Sequence, residues 1–111
     1  MVIQFVKLRS QLPHEEVYRL MEERAPQFRQ VPGLLQKYFC RESATGEYAG
    51  VYLWDSEESL RHYRQSDLAR TTAAAYKVDG PPRIEVLEVL FPLRSDEPAA
   101  AWVPVPELAP F

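Results

Sequence analysis

The chain has 111 residues, of which 46% are hydrophobic, 12% aromatic and 26% charged. This composition excludes a disordered or low-complexity chain, because aromatic residues are plentiful and the formal net charge is only -3. A chain of this length buries roughly two-thirds of its unfolded surface as one domain, so it needs no disulfide or metal to hold a core.

Charge distribution and cysteine content exclude several classes of partner. The basic residues are scattered singly, which argues against nucleic-acid binding. The single Cys40 and two histidines cannot supply the four ligands of a structural zinc site. No apolar run approaches the roughly 20 residues that cross a bilayer, and the N-terminus lacks the pattern of a signal peptide. We therefore expect a cytoplasmic protein with no metal, no membrane and no nucleic-acid partner, and a buried thiol at Cys40.

A strand and a long helix open the chain. Residues 2–9 are rich in β-branched and aromatic side chains, which predicts a strand. Pro13 is tolerated in a first helical turn, and acidic residues follow it. The next apolar residues recur at helical spacing: Val17, Leu20, Met21, Ala25 and Phe28. This pattern predicts an amphipathic helix of about four turns, distorted at Pro26 and closed by the turn Pro32-Gly33.

Two strands form a predicted hairpin in the middle of the chain. Residues 34–42 and 47–54 flank a short polar link that ends with Gly46, which is typical of an antiparallel hairpin.

Two capping signals follow this hairpin. Asp55 precedes Glu58 by three residues, the spacing of a capping box, so a helix is predicted to begin with Asp55 as its N-cap. Ser66-Asp67 offers a second cap, so this helical region is predicted in two pieces, with apolar residues on each.

The last strand and a proline-rich tail complete the chain. Residues 83–91 carry aliphatic side chains at both parities, which predicts a strand that is buried on both faces. We therefore divide the chain into a domain over residues 1–92 and a Pro/Ala-rich C-terminal tail over residues 93–111. The tail carries several large apolar side chains, and we expect it to dock on a partner subunit.

The element order β-α-β-β-α-β predicts a ferredoxin-like α+β fold. In this arrangement a four-stranded antiparallel sheet carries both helices on one face. The other face would leave a large apolar patch in water, and a second copy of the chain could cover it. We therefore expect a homodimer whose two sheets pack face to face as a dimeric α/β barrel.

Three stretches of sequence resemble a known family. They are residues 31–37 (VPGLLQK), 46–54 (GEYAGVYLW) and 55–60 (DSEESL). Together they resemble the YdhR-like monooxygenases and, more distantly, the antibiotic-biosynthesis monooxygenases. The resemblance implies a dimeric α/β barrel and oxygenation without metal, flavin or haem. An electron-rich phenol or hydroquinone would be deprotonated and would itself reduce dioxygen. The chain contains no GxGxxG, HExxH or nucleophile-elbow motif, which agrees with a cofactor-free enzyme and equally with no enzyme.

Five aromatic residues and one histidine are the candidate site residues. His62 is the candidate general base, because its side chain titrates near neutrality, although helical geometry points it away from the buried stripe of Leu60 and Tyr63. His14 is expected at the surface. The five aromatic candidates could line one pocket for a planar aromatic ligand, or could be ordinary core residues: Tyr38, Tyr52, Trp54, Tyr63 and Tyr76.

One ion pair and three functions remain open. Glu85 could pair with Lys37 or Arg41, if these residues share a sheet face. The leading function is a cofactor-independent monooxygenase acting on a small aromatic or polycyclic phenolic compound. The alternatives are a non-catalytic small-molecule-binding or stress-associated module on the same scaffold, and a haem-binding relative. The haem reading is disfavoured, because His62 and His14 are both expected to be exposed.

Overall fold

Eight helices and strands follow one another along residues 1–94, the part of the chain that this computed structural model describes. Strand β1 spans Val2–Leu8, helix α1 His14–Arg29, strand β2 Leu34–Arg41 and strand β3 Tyr48–Trp54. Three helical segments come next, and the last strand follows them: α2 (Glu57–Arg64), α3 (Asp67–Arg70), α4 (Thr72–Ala75) and β4 (Arg83–Glu88). The expected docking of the tail concerns residues that lie mostly outside this described part.

The four strands form one antiparallel sheet in the order β2-β3-β1-β4. This order confirms the predicted ferredoxin-like α+β fold, in which the first strand lies in the centre beside the third and fourth. Strand β1 shows the two faces of the sheet. Val2, Gln4 and Leu8 are buried, whereas Ile3, Phe5 and Lys7 between them are partly exposed.

The helices cover the face that carries Val2, Gln4 and Leu8. One core cluster joins strand residues to α1 and α2: Val2, Phe28, Tyr52, Trp54, Leu60 and Tyr63. A second cluster lies nearer the start of α1: Leu8, Val17, Tyr48 and Tyr76. We call the volume between these helices and the sheet the sheet–helix space.

Helix α1 begins immediately after Pro13. The Pro13 carbonyl oxygen accepts from the backbone N–H groups of Glu16 and Val17, each at 3.1 Å. Proline therefore lies just before the first turn, where its missing N–H costs no helical bond. The helix continues through Pro26 and ends at Arg29.

Helix α2 begins one residue later than the capping-box spacing predicts. Ser56 is the N-cap, and its Oγ accepts from the backbone N–H of Ser59 at 3.2 Å. The carboxylate of Asp55 instead accepts from Ser59 Oγ at 2.6 Å, so it stabilises the first turn from a position before the N-cap. The second predicted cap is confirmed, since Ser66 Oγ accepts from the N–H of Ala69 at 3.2 Å.

The prediction that the last strand is buried on both faces is wrong for the described chain. Among the described strands β4 is at an edge and pairs only with β1, and all six of its residues are exposed. Ile84 and Leu87, on opposite faces, are 50% and 48% exposed. Edge position explains the difference, because one side of the strand has no neighbour among the described strands.

Two further expectations fail for reasons of strand position and register. Cys40 is exposed, because it lies near the end of the other edge strand, β2. Glu85 cannot pair with Lys37 or Arg41. Its partner across the sheet is Phe5, on the face without helices, whereas Lys37 lies opposite the buried Tyr52.

Candidate functional site

Four aromatic rings pack together in the sheet–helix space. Tyr52 and Trp54, two residues apart on β3, project to the same face and stack at 6.1 Å between ring centroids. Tyr63 from α2 lies 5.2 Å from Trp54 and 5.8 Å from Tyr52. Phe28 from α1 closes the group at 6.1 Å from both tyrosines. Strand alternation and the inner faces of α1 and α2 thus bring these rings together.

Trp54 is held by a buried polar contact. Its indole Nε1 donates to Gln4 Oε1 at 3.0 Å, and the two residues are 0% and 2% exposed. Gln4 lies beside Tyr52 in the central strand pair, so its amide oxygen satisfies the indole N–H inside the core. Trp54 itself lines neither of the two cavities described next.

A cavity of about 310 Å³ lies in the sheet–helix space. Its floor is the sheet and its roof is the region of α3 and α4. The polar groups at its wall are a buried amide, two phenols, a threonine hydroxyl and two guanidinium groups: Gln4, Tyr52, Tyr63, Thr72, Arg64 and Arg70. The remaining lining is apolar. This volume lies at the lower end of the range of small-molecule sites and suits a single planar ligand.

A second, smaller cavity of about 40 Å³ shares part of this wall. Val6, Leu8, Tyr52 and Thr72 border both volumes, and Lys37 and Tyr76 border the smaller one. The smaller cavity has room for a water-sized group or the oxygen end of a ligand.

Lys37 places its amine against aromatic rings. The Nζ atom lies 3.3 Å from the ring centroid of Phe28, 4.2 Å from that of Phe39 and 4.5 Å from that of Tyr52. Burial, with the nearby charge of Arg24 as a second cause, lowers the pKa of Lys37 from 10.5 to about 7. An amine with such a pKa exchanges protons near neutrality.

Arg24 is a second cation near the buried aromatic rings. Its Nη2 donates to the carbonyl oxygen of Leu68 at 2.9 Å and to Thr72 Oγ1 at 3.2 Å, and its guanidinium lies 5.7 Å from the ring centroid of Tyr76. The buried Nε atom makes no hydrogen bond among the described residues. Neither Arg24 nor Lys37 forms a salt bridge within residues 1–94.

The tyrosine hydroxyls of this region are not bases that could remove a proton from a ligand. Burial raises the pKa of Tyr52 well above its ordinary value, and it also raises the pKa values of Tyr63 and Tyr76. These three phenols therefore stay protonated at neutral pH and can orient a ligand through hydrogen bonds.

The structure brings together four of the five aromatic candidates. Tyr52, Trp54, Tyr63 and Tyr76 are buried on the helix side. Tyr38 lies opposite Val51, at a register position on the other face of the sheet, so it does not join them.

His62 lies outside the sheet–helix space. It is exposed, as helical geometry predicts, on the rim of an open groove of about 710 Å³ between the end of α1 and α2. This groove is larger than the cavity of about 310 Å³, which we call the inner cavity, but among the aromatic candidates it touches only Tyr63. His14 is exposed at the start of α1, where Nδ1 lies 2.9 Å from Tyr48 Oη. We place the candidate site in the inner cavity together with the smaller cavity beside it, which Lys37 and Tyr76 border.

Three residues of this site, Gln4, Arg24 and Lys37, are not identified by motif reasoning. Arg24 had a readable signal, since it lies four residues after Leu20 and four before Phe28, on the apolar side of α1. Lys37 and Gln4 gave no such signal, because their neighbours across the sheet depend on register.

Two features are absent from the described residues, a cluster of metal-binding side chains and a membrane-spanning helix. No group of three or more His, Cys, Asp or Glu side chains in residues 1–94 could hold a metal ion. Over the same range, no helix combines the length and apolar character that a bilayer crossing requires.

Known proteins were compared with the chain by sequence and by structure. The family model described as "Putative mono-oxygenase ydhR" matches residues 3–80. Among curated proteins, none matches this chain in sequence.

Several solved structures share the fold at low sequence identity. A "putative antibiotic biosynthesis monooxygenase" from Caulobacter crescentus superposes with a TM-score of 0.70 at 23% identity, covering 81% of this chain and 90% of its own. SnoaB, a cofactor-independent oxygenase from Streptomyces nogalater, gives 0.68 at 14% identity, covering 85% and 97%. A mutant of MhuD with two manganese protoporphyrin IX molecules bound per active site gives 0.66 at 17% identity, covering 86% and 100%. At these identities the likeness shows the fold.

Proposed function

This chain belongs to the YdhR mono-oxygenase family, and on that premise we propose that it is a cofactor-independent monooxygenase acting on a small aromatic or polycyclic phenolic compound. The observation that carries the proposal is the cavity of about 310 Å³ in the sheet–helix space. Its aromatic walls suit a planar ring, and its few polar groups can orient a hydroxyl.

The reaction needs only a deprotonated ligand and dioxygen. An electron-rich phenolate transfers electrons to dioxygen, and one oxygen atom forms a carbonyl at a ring carbon. The second oxygen atom leaves as water, together with the hydrogen of that carbon and the hydrogen of the phenol. The ligand thus loses four electrons as it becomes a quinone, and dioxygen takes up all four. The protein's tasks are to bind the ring, to orient its hydroxyl and to exclude bulk water.

The structural neighbours support two different ligand classes. SnoaB is described as a cofactor-independent oxygenase, which favours the proposal. MhuD is described with manganese protoporphyrin IX bound, which keeps haem as an alternative ligand. Against haem, both histidines of this chain are exposed outside the inner cavity. Titration with haem is expected to give no Soret shift, and a saturable shift would favour the alternative.

The proposal includes a homodimer in the cytoplasm. The sheet face without helices carries Ile3, Phe5, Val51 and Leu87 at register positions that adjoin one another; the first three are partly exposed and Leu87 is 48% exposed. Its apolar character favours a second copy of the same face as its cover, because a two-fold dimer pairs one surface with itself. The lone Cys40 favours a reducing compartment.

Oxygen uptake with a panel of hydroquinones and naphthols tests the activity. We expect turnover without added metal, flavin or haem, in the presence of a metal chelator. Saturable binding of these compounds without turnover would contradict the enzyme proposal and favour the non-catalytic binding module.

A matched pair of variants ties that activity to the inner cavity. Ala69 is partly buried and lines the cavity, whereas Ala74 is exposed, belongs to the next helical segment and does not line it. Ala69→Phe is expected to fill the cavity and to abolish binding, while Ala74→Phe leaves binding unchanged. Equal behaviour of the two variants would place the ligand elsewhere.

A further inference from the structure

The amine of Lys37 is a polar group of the sheet–helix space that has no hydrogen-bond acceptor or anion in the contacts described above. It contacts the three ring faces already described. Ring faces attract a cation but accept no conventional hydrogen bond from its N–H groups. No carboxylate lies among the residues that line the two cavities bordered by Lys37. An amine buried in this way lacks the anionic partner that buried cations ordinarily have.

The charged groups around Lys37 supply no anionic partner either. The titratable and charged groups that contact the same rings or line the same cavities are Arg24 and Arg29 from α1, Tyr48 and Tyr52 from β3, Tyr63 from α2, and Tyr76 after α4. All of them are cations or phenols. A positive charge on Lys37 is therefore unfavourable in the empty protein, and an anionic oxygen beside it would relieve the repulsion.

Two openings give the amine access to a ligand and to water. On one side it borders the small cavity that shares Tyr52 and Thr72 with the cavity of about 310 Å³. On the other side it borders a cleft of about 330 Å³ beside the edge strand β2, lined also by Arg29 and Gln36. A ring in the larger cavity could direct its oxygen toward Tyr52 and Lys37, and a proton could leave through the cleft.

We propose that Lys37 accepts the hydroxyl proton of the aromatic ligand and holds the phenolate as an ammonium–phenolate pair. This proposal rests on the proposed function, and it names the base that the function requires. The ligand's O–H bond breaks, an N–H bond forms on Nζ, and the electron pair of the broken bond stays on the phenolate oxygen. Charge is conserved and no oxidant is needed in this step. The phenolate is then the form that reacts with dioxygen.

Other described groups suit this step less well. His62 is exposed on the rim of the groove between the end of α1 and α2, outside the sheet–helix space. The buried phenols keep their own protons, since burial raises the pKa of each of them. Lys37, with a pKa lowered by burial to about 7, is available as a neutral amine at physiological pH.

Binding of para-nitrophenol tests the ion pair without turnover. Its phenolate absorbs in the visible and its neutral form does not, so the bound state is read directly. The titration is made with the full chain at a mildly acidic pH, where free para-nitrophenol is mostly neutral. Wild type and Lys37→Arg are expected to bind the coloured phenolate, and Lys37→Met the colourless phenol. A colourless bound form in wild type, or an equally coloured one in Lys37→Met, would overturn the proposal.

The pH profile of oxygen uptake tests the proton acceptor itself. We expect the wild-type rate to rise with pH through about 7, because only the neutral amine accepts a proton. Arginine keeps the charge but accepts no proton, so Lys37→Arg is expected to lose this rise and about 100-fold or more in rate. An unchanged rate and profile in Lys37→Arg would overturn the proposal, even if both proteins consume oxygen and the proposed function stands. Circular dichroism and melting curves establish that each variant is folded.

Discussion

At the scale of single residues, Gly33 shows how a turn residue fixes the start of a helix. Its φ of 81° lies in the left-handed region, and its carbonyl oxygen accepts from the backbone N–H of Asp55 at 2.9 Å. A Cβ atom at Gly33 would clash with Ser59 Oγ and lie 2.7 Å from Asp55 Oδ1. The absence of a side chain therefore allows the turn before β2 to lie against the first turn of α2.

Substitution of Gly33 is expected to destabilise the chain more than substitution of Gly46. Gly46 also has a positive φ, 76°, but nothing lies within 4 Å of the position of a Cβ atom there. Gly46→Ala should cost about 1–2 kcal/mol from backbone conformation alone. Gly33→Ala should cost that amount and about 1 kcal/mol or more from the clash. Urea denaturation of both variants measures the difference, and equal losses would show that the turn and α2 can move apart.

The buried pair of Gln4 and Trp54 gives a second prediction at this scale. Trp54→Ala should lower stability by about 3–5 kcal/mol, because a fully buried indole leaves a cavity. Gln4→Leu leaves the indole N–H unsatisfied and should cost about 1–3 kcal/mol. In the double variant Gln4→Leu with Trp54→Phe both polar groups are gone. Its loss of stability should therefore be smaller than the sum of the losses measured for Gln4→Leu alone and Trp54→Phe alone. Additive losses in chemical denaturation would mean that the 3.0 Å contact contributes nothing.

Lys37 predicts how stability depends on pH. Its folded pKa of about 7 lies below that of an unfolded lysine, so the unfolded chain binds more protons between these two values. Stability should therefore rise as pH increases from about 7 toward 9, below the range in which tyrosines titrate. Lys37→Met removes the titrating group and should flatten this rise. Parallel pH profiles of the urea midpoint for wild type and Lys37→Met would show that Lys37 stays charged in the fold.

At the scale of elements, the start of α2 depends on a serine and an aspartate with separate roles. Ser56→Ala removes the side-chain acceptor for the Ser59 N–H and should cost about 1 kcal/mol. The hydrogen bond from Ser59 lowers the pKa of Asp55, so its contribution is present above the unfolded pKa and is lost as pH falls. Asp55→Asn should therefore destabilise at neutral pH and have less effect in acid. Thermal melts at two pH values, with exposed Glu57→Gln as the control, distinguish the two roles.

The elements could be predicted from sequence where local chemistry decides them. Strand composition, helical spacing and turn residues identify β1, α1, the hairpin and the break at Ser66. The predicted cap of α2 lies one residue before the observed one, because Asp55 and Ser56 are both good caps and tertiary contact with the Gly33 turn decides between them. Burial of β4 was not predictable from its pattern, because an apolar strand has the same sequence at an edge and in a centre.

The candidate site depends on register, which local sequence does not show. Alternation along β3 places Tyr52 and Trp54 on one face, and that part follows from spacing. Whether Tyr38 or Lys37 of β2 joins them depends on the pairing of β2 with β3. An irregularity between Leu34 and Gln36 shifts this pairing by one residue. A one-residue shift exchanges the faces, so Lys37 enters the site and Tyr38 leaves it.

At the scale of the whole molecule, the uncovered sheet face predicts assembly. Light scattering should give twice the chain mass of 12.9 kDa, with an interface that buries upwards of about 2,000 Å² in total. Val51→Lys places a charge in the middle of this face and should yield monomers. Tyr18→Lys, on the outer face of α1 where Tyr18 is 56% exposed, should leave the assembly intact. A monomeric wild type at micromolar concentration would contradict both the dimer and the barrel.

The position of β1 between β3 and β4 has a consequence for synthesis on the ribosome. The hairpin of β2 and β3 emerges with β1 already made, so three strands can associate while the fourth is still being translated. The second edge of β1 stays unpaired through that interval, because almost the whole described chain separates β1 from β4. On polysomes, where neighbouring nascent chains are close, the β4 of another copy can pair with that edge of β1 in the same register as the chain's own β4. Exchange of β4 between two copies is therefore a route to intertwined dimers that the strand order itself supplies.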